Sequence, residues 1–154
     1  MASSKISKIA SRWLQRTALE VNSSLVGIRA LSLSLQAAFL DLGREDLGLR
    51  IHRVTRPLLS TPAEESEAKR KSYAIDLMFP QSLDPKIRMR ALSLMWSGAI
   101  MDLTTSPQGA AHASLETFGA QINMTTRKMV TPEEDGEAKR VALRLISKLG
   151  IGRG

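Results

Sequence analysis

The side chains in this sequence best placed to do chemistry are its cations, and their spacing is helical. Arg140, Arg144 and Lys148 recur every four residues, which sets them in one stripe on a helix. Lys5, Lys8, Arg12 and Arg16 repeat the pattern near the start, and Arg50, Arg53 and Arg56 sit together further on. Lys86, Arg88 and Arg90 form another cluster. Any one stripe reads first as a solvated face, but together they could track a phosphate backbone. Such contacts carry no base information, so binding would be largely non-specific and strongly salt-dependent. The balance of 22 Lys and Arg against 15 Asp and Glu, net +7, favours an anionic partner. Nucleic acid comes first, with an acidic protein face or an anionic membrane surface as alternatives. Two tryptophans, one tyrosine and three phenylalanines are too few for exposed stacking platforms. Coating of RNA or a single strand through its backbone therefore fits better than base readout.

Other chemistry finds little material. With no cysteine there is no disulfide framework, thiolate metal site or thiol catalysis. The two histidines, His52 and His112, lack the spacing of metal ligands on one helix and pair with no Glu in a ligand motif. Gly150, Gly152 and Gly154 lie at a tail, not between a strand and a helix where a phosphate loop belongs. Ser32 and Ser97 lack the context of a nucleophile elbow. The acidic groups Glu64, Glu65 and Glu67, and Glu133, Glu134, Asp135 and Glu137, are explained by helix capping and the helix dipole. No catalytic residue, cofactor or metal is expected, and the protein is read as non-enzymatic.

The elements that must carry these residues are all helical, since no stretch alternates apolar and polar as strands do. A basic amphipathic helix is expected over about 3–21, with Ile6, Ile9, Ala10, Trp13 and Leu14 on one side. Its composition touches two other patterns, a transit peptide and an interfacial membrane helix. Packing onto the bundle is preferred to both. A central helix, apolar almost all round, follows over 24–42 and ends at Gly43. A third spans about 45–56 before Pro57. Thr61, Pro62 and Glu64 make a capping box for a fourth, whose apolar part is Tyr73, Ala74, Leu77 and Met78. A fifth starts at Asp84 and Pro85 and runs to Thr104, anchored by Trp96. A breaker follows at Ser106, Pro107, Gln108 and Gly109, then a short sixth helix over 110–122 and a linker over 125–130. Thr131, Pro132 and Glu134 cap a seventh.

Two of these segments are nearly repeated. Arg29, Ala30, Leu31, Ser32 and Leu33 recur as Arg90, Ala91, Leu92, Ser93 and Leu94, and Ala38, Asp41 and Leu42 as Ala99, Asp102 and Leu103. In the same order Thr61, Pro62, Glu64, Glu65, Glu67, Ala68, Lys69 and Arg70 return as Thr131, Pro132, Glu134, Asp135, Glu137, Ala138, Lys139 and Arg140. Thr55 and Arg56 precede one copy, Thr126 and Arg127 the other. The pattern predicts an all-α single compact bundle of six to seven helices containing an internally duplicated unit, 28–80 and 89–150, behind a leading helix. At 154 residues the chain is one domain with a core large enough to need no staples. No apolar run approaches the ~20 residues of a membrane span.

Scattered pieces, separated by large gaps, resemble two viral families. Thr55, Arg56, Pro57, Leu58 and Leu59, then Ala91, Leu92 and Ser93, then Gly109 and Ala110 before Phe118 and Gly119, look like an influenza-type matrix protein. Pro62, Glu64, Glu65 and the run from Leu94 to Gly98 look like a paramyxovirus C accessory protein. The first resemblance implies a scaffold for ribonucleoprotein and membrane. The second implies a non-enzymatic modulator of host defence and viral RNA synthesis. Neither transfers a residue role. The expectation is a self-associating basic helical protein that binds nucleic acid or ribonucleoprotein, in the cytoplasm, nucleus or virion. A helical adaptor for a protein partner is the alternative.

Overall fold

The computed structural model describes residues 24–105 and 112–149. The expected leading helix, with Lys5, Lys8, Arg12 and Arg16, lies outside the described residues, as do the breaker at Ser106 to Gly109 and the tail from Gly150 on. Among the described residues every regular element is helical: α1 (Ser24–Asp41), α2 (Glu45–Thr55), a 3-10 turn (Arg56–Leu58), α3 (Pro62–Leu77), α4 (Pro85–Thr105), α5 (Ser114–Lys128) and α6 (Pro132–Leu149). The chain is an all-α bundle.

The helix ends follow the local chemistry. Gly43 takes φ +73°, open to a residue without Cβ, and turns the chain out of α1. At the start of α3 the Thr61 hydroxyl accepts from the Glu64 N–H at 3.2 Å, and the Glu64 carboxylate accepts from the Thr61 N–H at 3.1 Å. Thr131 and Glu134 repeat this box before α6, at 3.1 and 2.8 Å. α5 runs on to Lys128, so the expected linker over 125–130 is mostly helix. Thr126 explains the extension, because its buried hydroxyl is held by α4 and fixes the last turn of α5.

The core is built on α1 and α4. Leu31, Leu35 and Phe39 of α1 and Leu92, Met95, Trp96 and Ile100 of α4 are buried. Trp96 joins three helices. Its indole N–H donates to Ser32 Oγ on α1 at 2.8 Å, and its ring meets Phe118 of α5 edge-on at 5.6 Å. Ser32 passes its own proton to the Ile28 carbonyl at 2.7 Å, so this buried hydroxyl is satisfied on both sides. α4 packs against both α5 and α6. Two glycines let neighbours come close. A Cβ at Gly48 would stand 3.2 Å from Gln36 Cγ, and one at Gly119 would stand 3.4 Å from Ile100 Cγ2. By length and composition α1 could cross a membrane, but over half of that segment is buried in the bundle.

α3 presents a different face from the one its apolar residues suggest. Tyr73, Ala74 and Leu77 are exposed, while Glu65, Ala68, Ser72 and Ile75 are buried. The buried positions still follow helical spacing, but two of them are polar. Ser72 belongs inside because its hydroxyl lies 2.8 Å from that of Ser34 on α1.

Candidate nucleic-acid interface and the buried arginine nodes

The cations divide into those the fold uses and those it leaves outside. Arg140, Arg144 and Lys148 are exposed along α6, opposite the buried Ala138, Ala142 and Leu145. Among the described residues none of the three forms an ion pair. On α2, Arg53 is exposed, and the exposed Arg50 places its guanidinium 5.7 Å from the centre of the Phe118 ring. Arg56 is partly committed, with Nε 3.3 Å from Glu65 Oε2 and Nη1 donating to the Leu59 carbonyl at 3.4 Å. The expected cluster of Lys86, Arg88 and Arg90 does not hold together as a surface. Lys86 is exposed, Arg88 pairs with Asp76 at 3.1 Å, and Arg90 is buried. Arg90 turns inward because α5 and α6 supply a carboxylate and three oxygen acceptors for it.

Arg90 and Arg29 are the centres of two buried polar nodes. Arg29, 1% exposed, lays its guanidinium side-on against Glu65, Nε to Oε1 at 2.9 Å and Nη2 to Oε2 at 3.0 Å. Its Nη1 donates to the Thr55 hydroxyl at 3.0 Å, and Nη2 lies 3.1 Å from His52 Nδ1. One residue on α1 is thus tied to α2 and α3. Arg90 does the same from α4. Its Nε donates to Asp135 Oδ1 at 2.6 Å, and Nη1 faces the Asn123 carbonyl, Asn123 Oδ1 and the Thr126 hydroxyl at 2.8, 2.7 and 2.8 Å. Arg127 and Lys139 reach Asp135 Oδ2 at 3.3 and 3.2 Å, as Arg56 reaches Glu65.

Four residues of each node fall at matching positions of the two similar sequence segments. Arg29, Thr55, Arg56 and Glu65 correspond in order to Arg90, Thr126, Arg127 and Asp135. Leu31 and Leu92, which also correspond, are both fully buried. Glu65 and Asp135, read from sequence as cap and dipole residues, are instead buried partners of arginine. The neighbouring Glu64 and Glu134 do the capping. The sequence did carry a signal for this. An arginine inside an otherwise apolar helix must find a partner or leave the core.

The nodes also set the charge state of their acids. Hydrogen bonds from Arg29 hold the Glu65 carboxyl below its ordinary range against the opposing effect of burial, with the charges of Arg29, Arg56 and Lys69 adding to them. For Asp135 burial is the largest single effect and pushes upward. Hydrogen bonds and charge from Arg90 and Lys139 outweigh it and leave the carboxyl low. Acids held ionised by arginine are poor general acids and bases at neutral pH. Among the described residues no three His, Asp or Glu side chains are grouped to hold a metal ion. No family model matches the chain, and neither a curated protein nor a solved structure is similar to it at a significant level.

Proposed function

We propose that this is a non-enzymatic, basic helical structural protein that binds RNA or ribonucleoprotein through phosphate contacts and self-associates, in the manner of a viral coat, nucleocapsid or matrix protein. The observation that carries the reading is the α6 stripe. Arg140, Arg144 and Lys148 stand about 6 Å apart along the axis, exposed and unpaired among the described residues. The fold does not need their charge. By contrast, the arginines it does need, Arg29 and Arg90, are buried and paired. Arg50 and Arg53 add a second exposed group on α2. The viral setting rests on sequence resemblance, and self-association on exposed apolar side chains such as Leu40 and Met101.

The test is replacement of Arg140, Arg144 and Lys148 together by glutamine. Helicity should stay unchanged, while binding of labelled RNA at low salt should weaken for every sequence tried. Unchanged RNA binding with reduced binding to anionic vesicles or to a protein partner would overturn the nucleic-acid reading.

A second reading, a helical adaptor for another protein, is favoured by a specific observation. Tyr73, Leu77 and Leu143 are each more than two-thirds exposed on α3 and α6. Protein partners favour such side chains at the centre of an interface. A preparation that carries no nucleic acid and shifts no RNA would support it.

We also propose that the chain arose by duplication of one helical unit. The support is the matching composition of the two nodes at corresponding positions. The glycines that admit the close approach of α2 to α1 and of α5 to α4, Gly48 and Gly119, also fall in step with the correspondence between Thr55 and Thr126.

A further inference from the structure

Each node gathers more positive charge than its carboxylate balances. At Asp135 the buried Arg90 already supplies one cation, with Nε 2.6 Å from Oδ1 and both side chains 4% exposed. Arg127, from the last turn of α5, and Lys139, from α6, then share the other oxygen, Oδ2, at 3.3 and 3.2 Å. Three cations therefore meet one carboxylate, and the two on Oδ2 are no farther apart than the sum of those distances. Both stand at the surface, with side chains 45% and 59% exposed. Among the described residues neither has another acidic partner, although a guanidinium carries five N–H donors and an ammonium three. The other node is built alike. Arg29 engages both oxygens of Glu65, and Arg56, its side chain 41% exposed, lies 3.3 Å from Oε2. The exposed Lys69 adds its charge to the same carboxyl. Arg56 matches Arg127 and Lys69 matches Lys139 in the two similar segments, whereas Arg144 and Lys148 match Ala74 and Met78. The capping carboxylates of Glu64 and Glu134 are engaged by the Thr61 and Thr131 N–H groups.

We propose that these surface pairs, Arg127 with Lys139 and Arg56 with Lys69, are the mouths of two equivalent sites, each binding one phosphate group. The carboxylate behind each mouth gathers the cations beforehand, so less side-chain freedom is lost on binding. Like charges drawn to one carboxylate repel each other across a short gap, and an anion seated between them relieves that repulsion. A tetrahedral phosphate has acceptor oxygens enough to take the guanidinium fork and the ammonium together. Chloride matches neither that fork nor the charge of a phosphate dianion. The sites do not include Arg140, Arg144 or Lys148 and do not rest on what that stripe binds.

The test is titration of the full chain with inorganic phosphate, followed by backbone amide NMR shifts, with sodium chloride adjusted to hold the ionic strength constant. Shifts should saturate across 127–139 and across 56–69. Arg127→Gln and Lys139→Gln each remove an exposed charge and leave Arg90 paired with Asp135, so helicity should be kept. Each should weaken phosphate binding at 127–139 about tenfold, the effect of losing one hydrogen bond to a charged group, and leave 56–69 as in the parent. Lys86→Gln should change neither site. The variant with Arg140, Arg144 and Lys148 changed to glutamine should keep both, so this proposal and the reading of the α6 stripe fail separately. A short RNA without terminal phosphates gives the second arm. Competition with inorganic phosphate supports sites for backbone phosphates, and saturable phosphate binding without competition supports sites for free phosphate or a phosphomonoester. Shifts that do not saturate, that chloride alone reproduces, or that Lys86→Gln weakens as much as Arg127→Gln would overturn the proposal.

Discussion

Arg29 and Arg90 show why single residues here cannot be judged by type alone. Each is a cation in an apolar helix, and each is stabilised only because a carboxylate, a hydroxyl and a further acceptor reach it from two other helices. Removing one partner leaves the other charged and buried. Arg29→Met should therefore cost about 3–5 kcal/mol, while the double change of Arg29→Met with Glu65→Leu should cost much less. Urea denaturation midpoints of the two variants check this. The same pair predicts an acid limb. A carboxyl whose pKa is lowered in the folded state contributes stability that is fully present above its unfolded value and is lost as the pH falls through the folded one. Both Glu65 and Asp135 are lowered, so stability should decline as the pH drops below about 4, and the double variant should show a shallower decline. Trp96 is a residue whose importance is legible from sequence. It is a large aromatic in an apolar run, and it is fully buried. Trp96→Ala should cost ~3–5 kcal/mol. A near-neutral denaturation midpoint would place its packing in doubt. The partners of Arg29 are not legible, because Glu65 lies 36 residues away and capping already gives it a reason to exist.

At the scale of elements, helix starts are easier to read than buried faces. A start is a local matter of a hydroxyl, a proline and a glutamate within four residues, and both boxes form where the sequence puts them. Thr61→Ala and Thr131→Ala should each lower stability by ~1 kcal/mol, measured as a shift in denaturation midpoint with helicity retained. An unchanged midpoint in both would mean the caps contribute nothing to the bundle. The buried face of α3 is hidden from a reading guided by apolar residues. Tyr73 and Leu77 are outside, and the inward stripe includes Glu65 and Ser72, whose partners sit on α1. The end of α5 lies later than composition suggests for a similar reason. Polar Thr125, Thr126 and Arg127 look like a linker, yet Thr126 is bonded to Arg90 and Ser93. In both places a long-range polar interaction overrides local composition.

For the whole molecule, helical class and a single bundle follow from periodicity, and the repeat points to the residues that form the nodes. Function is legible only as charge. Several of the basic residues picked out by spacing either lie outside the described residues or, like Arg56, are partly spent within the fold. The α6 stripe remains as the clearest unspent charge, and RNA binding is proposed on its strength. The most direct measurement is the salt dependence of RNA binding by the parent and by the variant with Arg140, Arg144 and Lys148 all changed to glutamine. A plot of log affinity against log salt should be steep for the parent. It should become shallower by roughly 0.7–0.9 for each phosphate that the variant no longer neutralises, with similar change for unrelated RNA sequences. Identical slopes and affinities for the two proteins would contradict RNA binding through α6 and leave the stripe as a solvated helix face.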